Sequence, residues 1–240
     1  MHPIQMLNGF DLRILTVLTG FAGKSRLFDH FLNLVARLDI FKGIALMCLF
    51  WYIWAQKPLD EHANIESRQK RLVVVLIGTT LIGGLSRGLQ LLLPIHQRPV
   101  LSNLGLAFPL LYSQPGSLNS WNSFPSDHSM FFFALGAGLW SIDRTAGLIA
   151  FLWTIIVVDF PRIYLGIHYP SDVLAGAVMG IISMRLLLAL PLERFERVIG
   201  SWRHAHQGLF MALMFFVTDE VGHLLAEVRE LATSAHVLLH

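Results

Sequence analysis

Charge is what this chain has least of. Only 14% of its 240 residues are Asp, Glu, Lys or Arg, against about 25% in an ordinary soluble domain. That deficit excludes a single water-soluble core of this length. Cysteine is nearly absent too: the sole thiol, Cys48, lies in an apolar block, so an internal disulfide and a Cys-x-x-Cys zinc or redox centre are excluded. No group of Asp and Glu forms a magnesium-type cluster. No run of Lys and Arg alternates with aromatics, and the net charge is only +2, so a nucleic-acid partner is not expected. Gly83-Gly84-x3-Gly88 is followed by no Gly-Lys-Ser/Thr, which excludes a phosphate loop. Met1–Gln5 lack the basic start of a secretory signal and Arg13 interrupts the apolar stretch after it, so the N-terminus reads as retained.

What the chain has is apolar residues in long blocks, 54% of the total. A membrane-spanning helix needs roughly 20 of them. Five stretches qualify or nearly do: 31–55, 72–93, 124–142, 145–165 and 173–192. The expected fold is all-α, a polytopic bundle of about five transmembrane helices. The apolar patch 208–218 is about half the required length, so a sixth span is the less favoured reading. Residues 1–27 read as an N-terminal interfacial segment whose helix over 4–22 is broken by Asp11 and Arg13. Residues 28–192 read as the bundle, and 193–240 as a cytoplasmic or interfacial tail. Gly176 with Gly180, and Gly136 with Gly138, are expected to let helices pack closely. Arg37, Asp39 and Lys42 are expected to pair with each other or with head groups, and Arg185 to snorkel. His204-x-His206 reads as part of a solvated tail, and His30, His62, His223, His236 and His240 carry no assignment.

The polar connections set an orientation. Lys57, Arg68, Lys70 and Arg71 fall between the first two spans, Arg144 between the third and fourth, and Arg194, Arg197 and Arg203 after the fifth. The positive-inside rule places these segments in the cytoplasm, and residues 94–123 and 166–172 outside. That orientation puts both of these connections on the outer side of the membrane.

The two outer loops hold an unusual polar set. Arg98-Pro99 and Phe124-Pro125-Ser126-Asp127-His128 belong to the first, and Arg162-x5-His168-x3-Asp172 to the second. Ionisable side chains at span ends cost free energy, so they suggest function. Two guanidinium forks suit phosphate oxygens. Ser126 or Asp127 can cap the helix of the third span and aim backbone N–H groups at an anion. Ser171 or Asp172 would open the fifth span, placing the Asp172 carboxylate where it holds one nitrogen of His168. The other nitrogen is then a nucleophile, and His128 is available to protonate a leaving oxygen.

These residues resemble the type-2 phosphatidic acid phosphatase superfamily. Its three motifs are Lys-x6-Arg-Pro, Pro-Ser-Gly-His and Ser-Arg-x5-His-x3-Asp. Here they read Arg98-Pro99, Pro125-Ser126-Asp127-His128 and Pro161-Arg162-x5-His168-x3-Asp172, in the same order. The resemblance implies that His168 takes the phosphoryl group, Asp172 orients it, and His128 protonates the leaving group. It also implies that Arg98, Ser126 and Arg162 hold phosphate, without metal or cofactor. Three positions depart from the pattern. Leu91 stands where the first motif has lysine, a cation that Arg87 or His96 would have to replace. Asp127 replaces glycine and is expected to cap the helix and face away, and Pro161 replaces serine. The implied function is a membrane lipid phosphatase acting through a phosphohistidine on a lipid phosphate in the bilayer, with polyprenyl diphosphate, such as undecaprenyl diphosphate, favoured. The alternatives are phosphatidate or phosphatidylglycerol phosphate as substrate, transfer to another lipid, or a non-catalytic phosphate-binding subunit or transporter.

Overall fold

The structure is a computed structural model that describes residues 9–56, 65–109 and 122–223. Lys57, His62, His236 and His240 lie outside the described residues, as do residues 110–121 and 224–240. Among the described residues there is no strand. The described residues form nine helices, together with a short 3₁₀ turn at Pro99–Leu101. They are α1 (Gly9–Thr19), α2 (Arg26–Arg37), α3 (Ile40–Ala55), α4 (Ile65–Leu92), α5 (Asp127–Trp140), α6 (Arg144–Tyr164), α7 (Pro170–Leu188), α8 (Glu193–Ala205) and α9 (Gln207–Gly222). The chain is an integral membrane protein. α4, α6 and α7 are long and apolar enough to cross a membrane, and their exposed faces are apolar. On α7 that face is Leu174, Val178, Ile182 and Leu186, all at least 47% exposed and spaced one helical turn apart.

The third apolar stretch behaves differently from a lipid-facing span. Its helix, α5, starts only at Asp127, because Ser126 caps it through its hydroxyl. Fourteen residues rise about 21 Å, short of a hydrocarbon core of about 30 Å. Twelve of them are buried. A helix apolar on all sides is one surrounded by protein, and α5 is the axis on which α4, α6 and α7 pack. Glycines set the spacing. A Cβ on Gly180 would stand 2.2 Å from the Met130 carbonyl oxygen, and one on Gly176 2.5 Å from that of Ser126. The α7 backbone therefore lies directly against α5.

The first apolar stretch is broken rather than continuous. Leu38 takes an extended conformation (ψ 125°) and ends α2; α3 then begins with a π turn at Ile40–Ile44. The break places Asp39 and Lys42 in a salt bridge, with Lys42 buried. Pairing with each other lowers the cost of holding these two charges inside an apolar block.

The C-terminal segment packs onto the bundle. α8 meets the start of α4, where Arg203 donates to Gln69 at 2.6 Å and His204 lies 3.3 Å from Glu66. α9 runs back along α3: Trp51 donates to the Thr218 hydroxyl at 3.1 Å, and a Cβ on Gly43 would meet the Gly222 carbonyl. Its sixteen residues rise about 24 Å. At the opposite end of the bundle, α1 is tied to α7. Asp11 is buried and accepts from the backbone N–H and hydroxyl of Ser171 at 2.8 and 2.6 Å.

Candidate active site

The polar residues singled out from the sequence collect where α5, α6 and α7 begin or end, beneath the loop that follows α4. His168 lies in the turn between α6 and α7. That turn is made by Gly166 at φ 69°, a left-handed conformation that suits glycine. The Gly166 carbonyl accepts from Val100 at 2.9 Å, which locks this turn to the Arg98-Pro99 segment. Arg98 consequently donates to the Ile167 carbonyl at 2.9 Å, and its Nη1 lies 3.3 Å from His168 Nε2. One imidazole nitrogen thus faces a guanidinium.

The other nitrogen, Nδ1, lies 3.0 Å from the Ser123 carbonyl oxygen. Asp172 Oδ2 is 3.7 Å from Nδ1, beyond hydrogen-bond reach. The expectation that Asp172 holds the imidazole directly is therefore refined: Ser123 stands between them. Its hydroxyl donates to Asp172 Oδ2 at 2.6 Å, and Tyr169 N–H donates to the same oxygen at 2.9 Å. Asp172 is the third residue of α7, and the helix opens at Pro170 rather than at Ser171 or Asp172. Both His168 and Asp172 are fully buried. Burial holds the His168 imidazole below its ordinary range, Arg98 adds to that, and the Asp172 and Asp127 carboxylates oppose it. The neutral, nucleophilic form is thereby favoured.

Ser126 caps α5, and its backbone N–H donates to the Asp172 carbonyl at 3.1 Å. Ser126 Oγ lies 2.9 Å from Ser129 Oγ, itself 2.7 Å from the buried Asp159 of α6. Arg162 is buried near the end of α6, with its guanidinium donating to the Val158 carbonyl at 2.7 Å. It acts electrostatically on His128 and Asp159.

The expectation for Asp127 is overturned. It neither caps α5 nor faces away: one oxygen lies 2.9 Å from His128 Nδ1 and the other 2.6 Å from Arg87 Nη2. Leu91, at the place of the motif's lysine, is 72% exposed on the outer face of α4. Of the two stand-ins considered, Arg87 binds Asp127, and His96 lies 3.4 Å from Asp172 Oδ1 with its ring against Tyr169. Sequence reasoning missed Ser123, Ser129 and Asp159. Asp159 carried a signal, a carboxylate inside a span; Ser123 offered only its place three residues before Ser126.

Residues 97–196 match the family model described as the PAP2 superfamily. The curated relatives that align with the chain include the following three. The bacitracin transport permease protein BcrC of Bacillus licheniformis is 42% identical over 26% of this chain and 30% of its own length. YbjG of Escherichia coli (strain K12), provisionally named an undecaprenyl-diphosphatase, is 25% identical over 68% of this chain and 76% of its own. The lipid A 1-diphosphate synthase of the same organism is 30% identical over 62% and 60%. The chain thus spans less than two thirds of two of the three. The crystal structure of Aquifex aeolicus LpxE shares the fold, with a TM-score of 0.53 and 21% identity over 78% of this chain and 99% of that one.

Proposed function

This chain belongs to the PAP2 superfamily, and from that premise we propose that it hydrolyses the phosphate of a membrane lipid through a phosphohistidine on His168. The observation that carries the reading is the His168 imidazole, with Nδ1 against the Ser123 carbonyl and Nε2 against Arg98. That leaves Nε2 as the nucleophile, beside a cation suited to phosphate oxygens.

In the first step Nε2 bonds to phosphorus while the bond from phosphorus to the leaving oxygen breaks, and that oxygen takes the proton of His128 Nε2. Arg98, Arg162 and the α5 N-terminus at Ser126 stabilise the charge on the three equatorial oxygens. Asp172, through Ser123, keeps the imidazole oriented and offsets its developing positive charge. In the second step water gives a proton to His128 and its oxygen bonds to phosphorus. The P–N bond breaks, and phosphate leaves with His168 neutral again.

Among substrates we favour a polyprenyl diphosphate. A lipid chain already dissolved in the bilayer gains little more apolar burial at the protein, so the head group must discriminate. A diphosphate offers a second charged group to Arg98 and Arg162, and its leaving group is easier to expel than an alkoxide. The relative named for undecaprenyl diphosphate supports this choice. The lipid A 1-diphosphate synthase supports a second reading, transfer of the phosphoryl group to a lipid acceptor. We place the site at the outer face of a bacterial inner membrane, because Arg68, Lys70, Arg71, Arg144, Arg194, Arg197 and Arg203 gather at the opposite end of the chain's spans.

The test is alkaline-quench trapping with a polyprenyl diphosphate carrying ³²P in its terminal phosphate, in mixed micelles. Wild type should carry acid-labile, base-stable label on histidine, and His168→Gln none. Phosphate release from polyprenyl diphosphate should exceed that from phosphatidate at equal surface concentration, with or without an added lipid acceptor. Label retained in His168→Gln would overturn the mechanism. Turnover that requires a lipid acceptor would favour transfer.

A further inference from the structure

We propose that Asp127 is a positioning residue for His128, holding it in the tautomer and charge state that protonate the leaving group, and that Arg87 makes this carboxylate tolerable beside a phosphate. The inference rests on His128 acting as the leaving-group acid.

The geometry is a chain of contacts from the α4 wall to the imidazole. Gln90 Nε2 donates to the Pro125 carbonyl at 2.8 Å, and Arg87 Nη1 donates to Gln90 Oε1 at 3.0 Å. Arg87 Nη2 lies 2.6 Å from Asp127 Oδ2. Asp127 Oδ1 lies 2.9 Å from His128 Nδ1. Arg87 and Gln90 are one turn apart on α4, so the helix presents both to the Pro125–His128 segment. The Asp127 side chain is 8% exposed and that of His128 19%. The carboxylate is thus enclosed while the ring keeps partial exposure.

With Nδ1–H committed to Asp127, Nε2 is the atom that exchanges a proton with substrate. The carboxylate also stabilises the imidazolium that must exist before donation, against burial first and then the nearby cations Arg162 and Lys42. A lone carboxylate here would repel the substrate; paired with Arg87 it adds no net charge. Asp172 with Ser123 serves the nucleophilic histidine, and Asp127 with Arg87 serves the acid. The family pattern places glycine at this position, so this chain holds its acid by a side chain that the pattern does not supply.

An acid matters only when the leaving oxygen is a poor leaving group. The full chain in mixed micelles is therefore compared on a dodecyl phosphate and on a nitrophenyl phosphate bearing the same alkyl tail. The rate read is that of alcohol or phenol release in the first turnover. General acid catalysis contributes about 10²–10⁴-fold. We expect His128→Gln to lose most of this on the alkyl ester and little on the aryl ester. Asp127→Asn and Asp127→Gly should show the same selectivity with an alkyl-ester loss of about 10–100-fold and unchanged KM. Equal losses on both esters in the Asp127 variants would mean a structural role and overturn the inference. So would a leaving-group-selective His128→Gln beside unselective Asp127 variants, in which case the acid assignment stands. An unselective His128→Gln would overturn both.

Discussion

Removing one oxygen atom from Ser123 tests how the nucleophile is held. In Ser123→Ala the backbone carbonyl that accepts from His168 Nδ1 remains, so the ring keeps its tautomer. What is lost is the 2.6 Å hydrogen bond to Asp172 Oδ2, leaving that oxygen with Tyr169 N–H alone. Asp172 is fully buried, and its other oxygen lies 3.4 Å from His96 Nδ1, so the hydrogen bond lost is one to a desolvated charge. A hydrogen bond to a buried charge is worth about 1.5–3 kcal/mol. If the hydroxyl keeps the carboxylate aligned with the imidazolium-like phosphohistidine, that energy appears in the barrier, as a loss of about 10–150-fold. Asp172→Asn, which removes the charge itself, should lose more, about 10²–10⁴-fold. The assay is the single-turnover rate of phosphoenzyme formation, with KM measured alongside; kcat should fall and KM stay. A Ser123→Ala rate within about twofold of wild type, or one lower than that of Asp172→Asn, would refute the relay through Ser123.

The remaining predictions follow from the same geometry. His168 titrates below its unfolded value near 6.5, so the folded state resists its protonation: the acid limb of kcat/KM should lie below pH 6.5 and move upward in Arg98→Gln, which removes a cation. The sign for stability is the same, since the unfolded chain binds the proton first and stability is lost as pH falls from about 6.5 toward the folded pKa. Gly180→Ala drives a Cβ into the Met130 carbonyl and should cost about 1–3 kcal/mol, read as a lower Tm in detergent. EDTA should leave turnover unchanged while vanadate inhibits, because the proposed steps use no metal; magnesium-restored activity after EDTA would contradict them. In a Cys48→Ser background, an impermeant thiol reagent on intact cells should label Ser117→Cys and spare Ser67→Cys.

Composition was enough to read an all-helical membrane protein, and motif spacing to single out Arg98, Ser126, His128, Arg162, His168 and Asp172 as candidates. Those signals are local: apolar blocks are contiguous, and each motif lies within a dozen residues. What spacing missed depends on partners distant in sequence. Asp127 finds Arg87 across forty residues because α4 and α5 pack side by side, and Ser123 finds Asp172 across forty-nine. Hydropathy likewise registers that 124–142 is apolar and not what surrounds it. Only the packing of α4, α6 and α7 around α5 distinguishes a helix facing lipid from one sheathed in protein. The same packing explains the error over Asp127. Read alone, a carboxylate at the start of a helix is a cap, favoured by the helix dipole. Ser126 already occupies the cap with its hydroxyl, so Asp127, one position on, turns to the α4 wall and to its neighbour His128. A departure from a family motif is therefore best interpreted with its cross-helix partner, since Arg87 is what makes the added charge compatible with an anionic substrate.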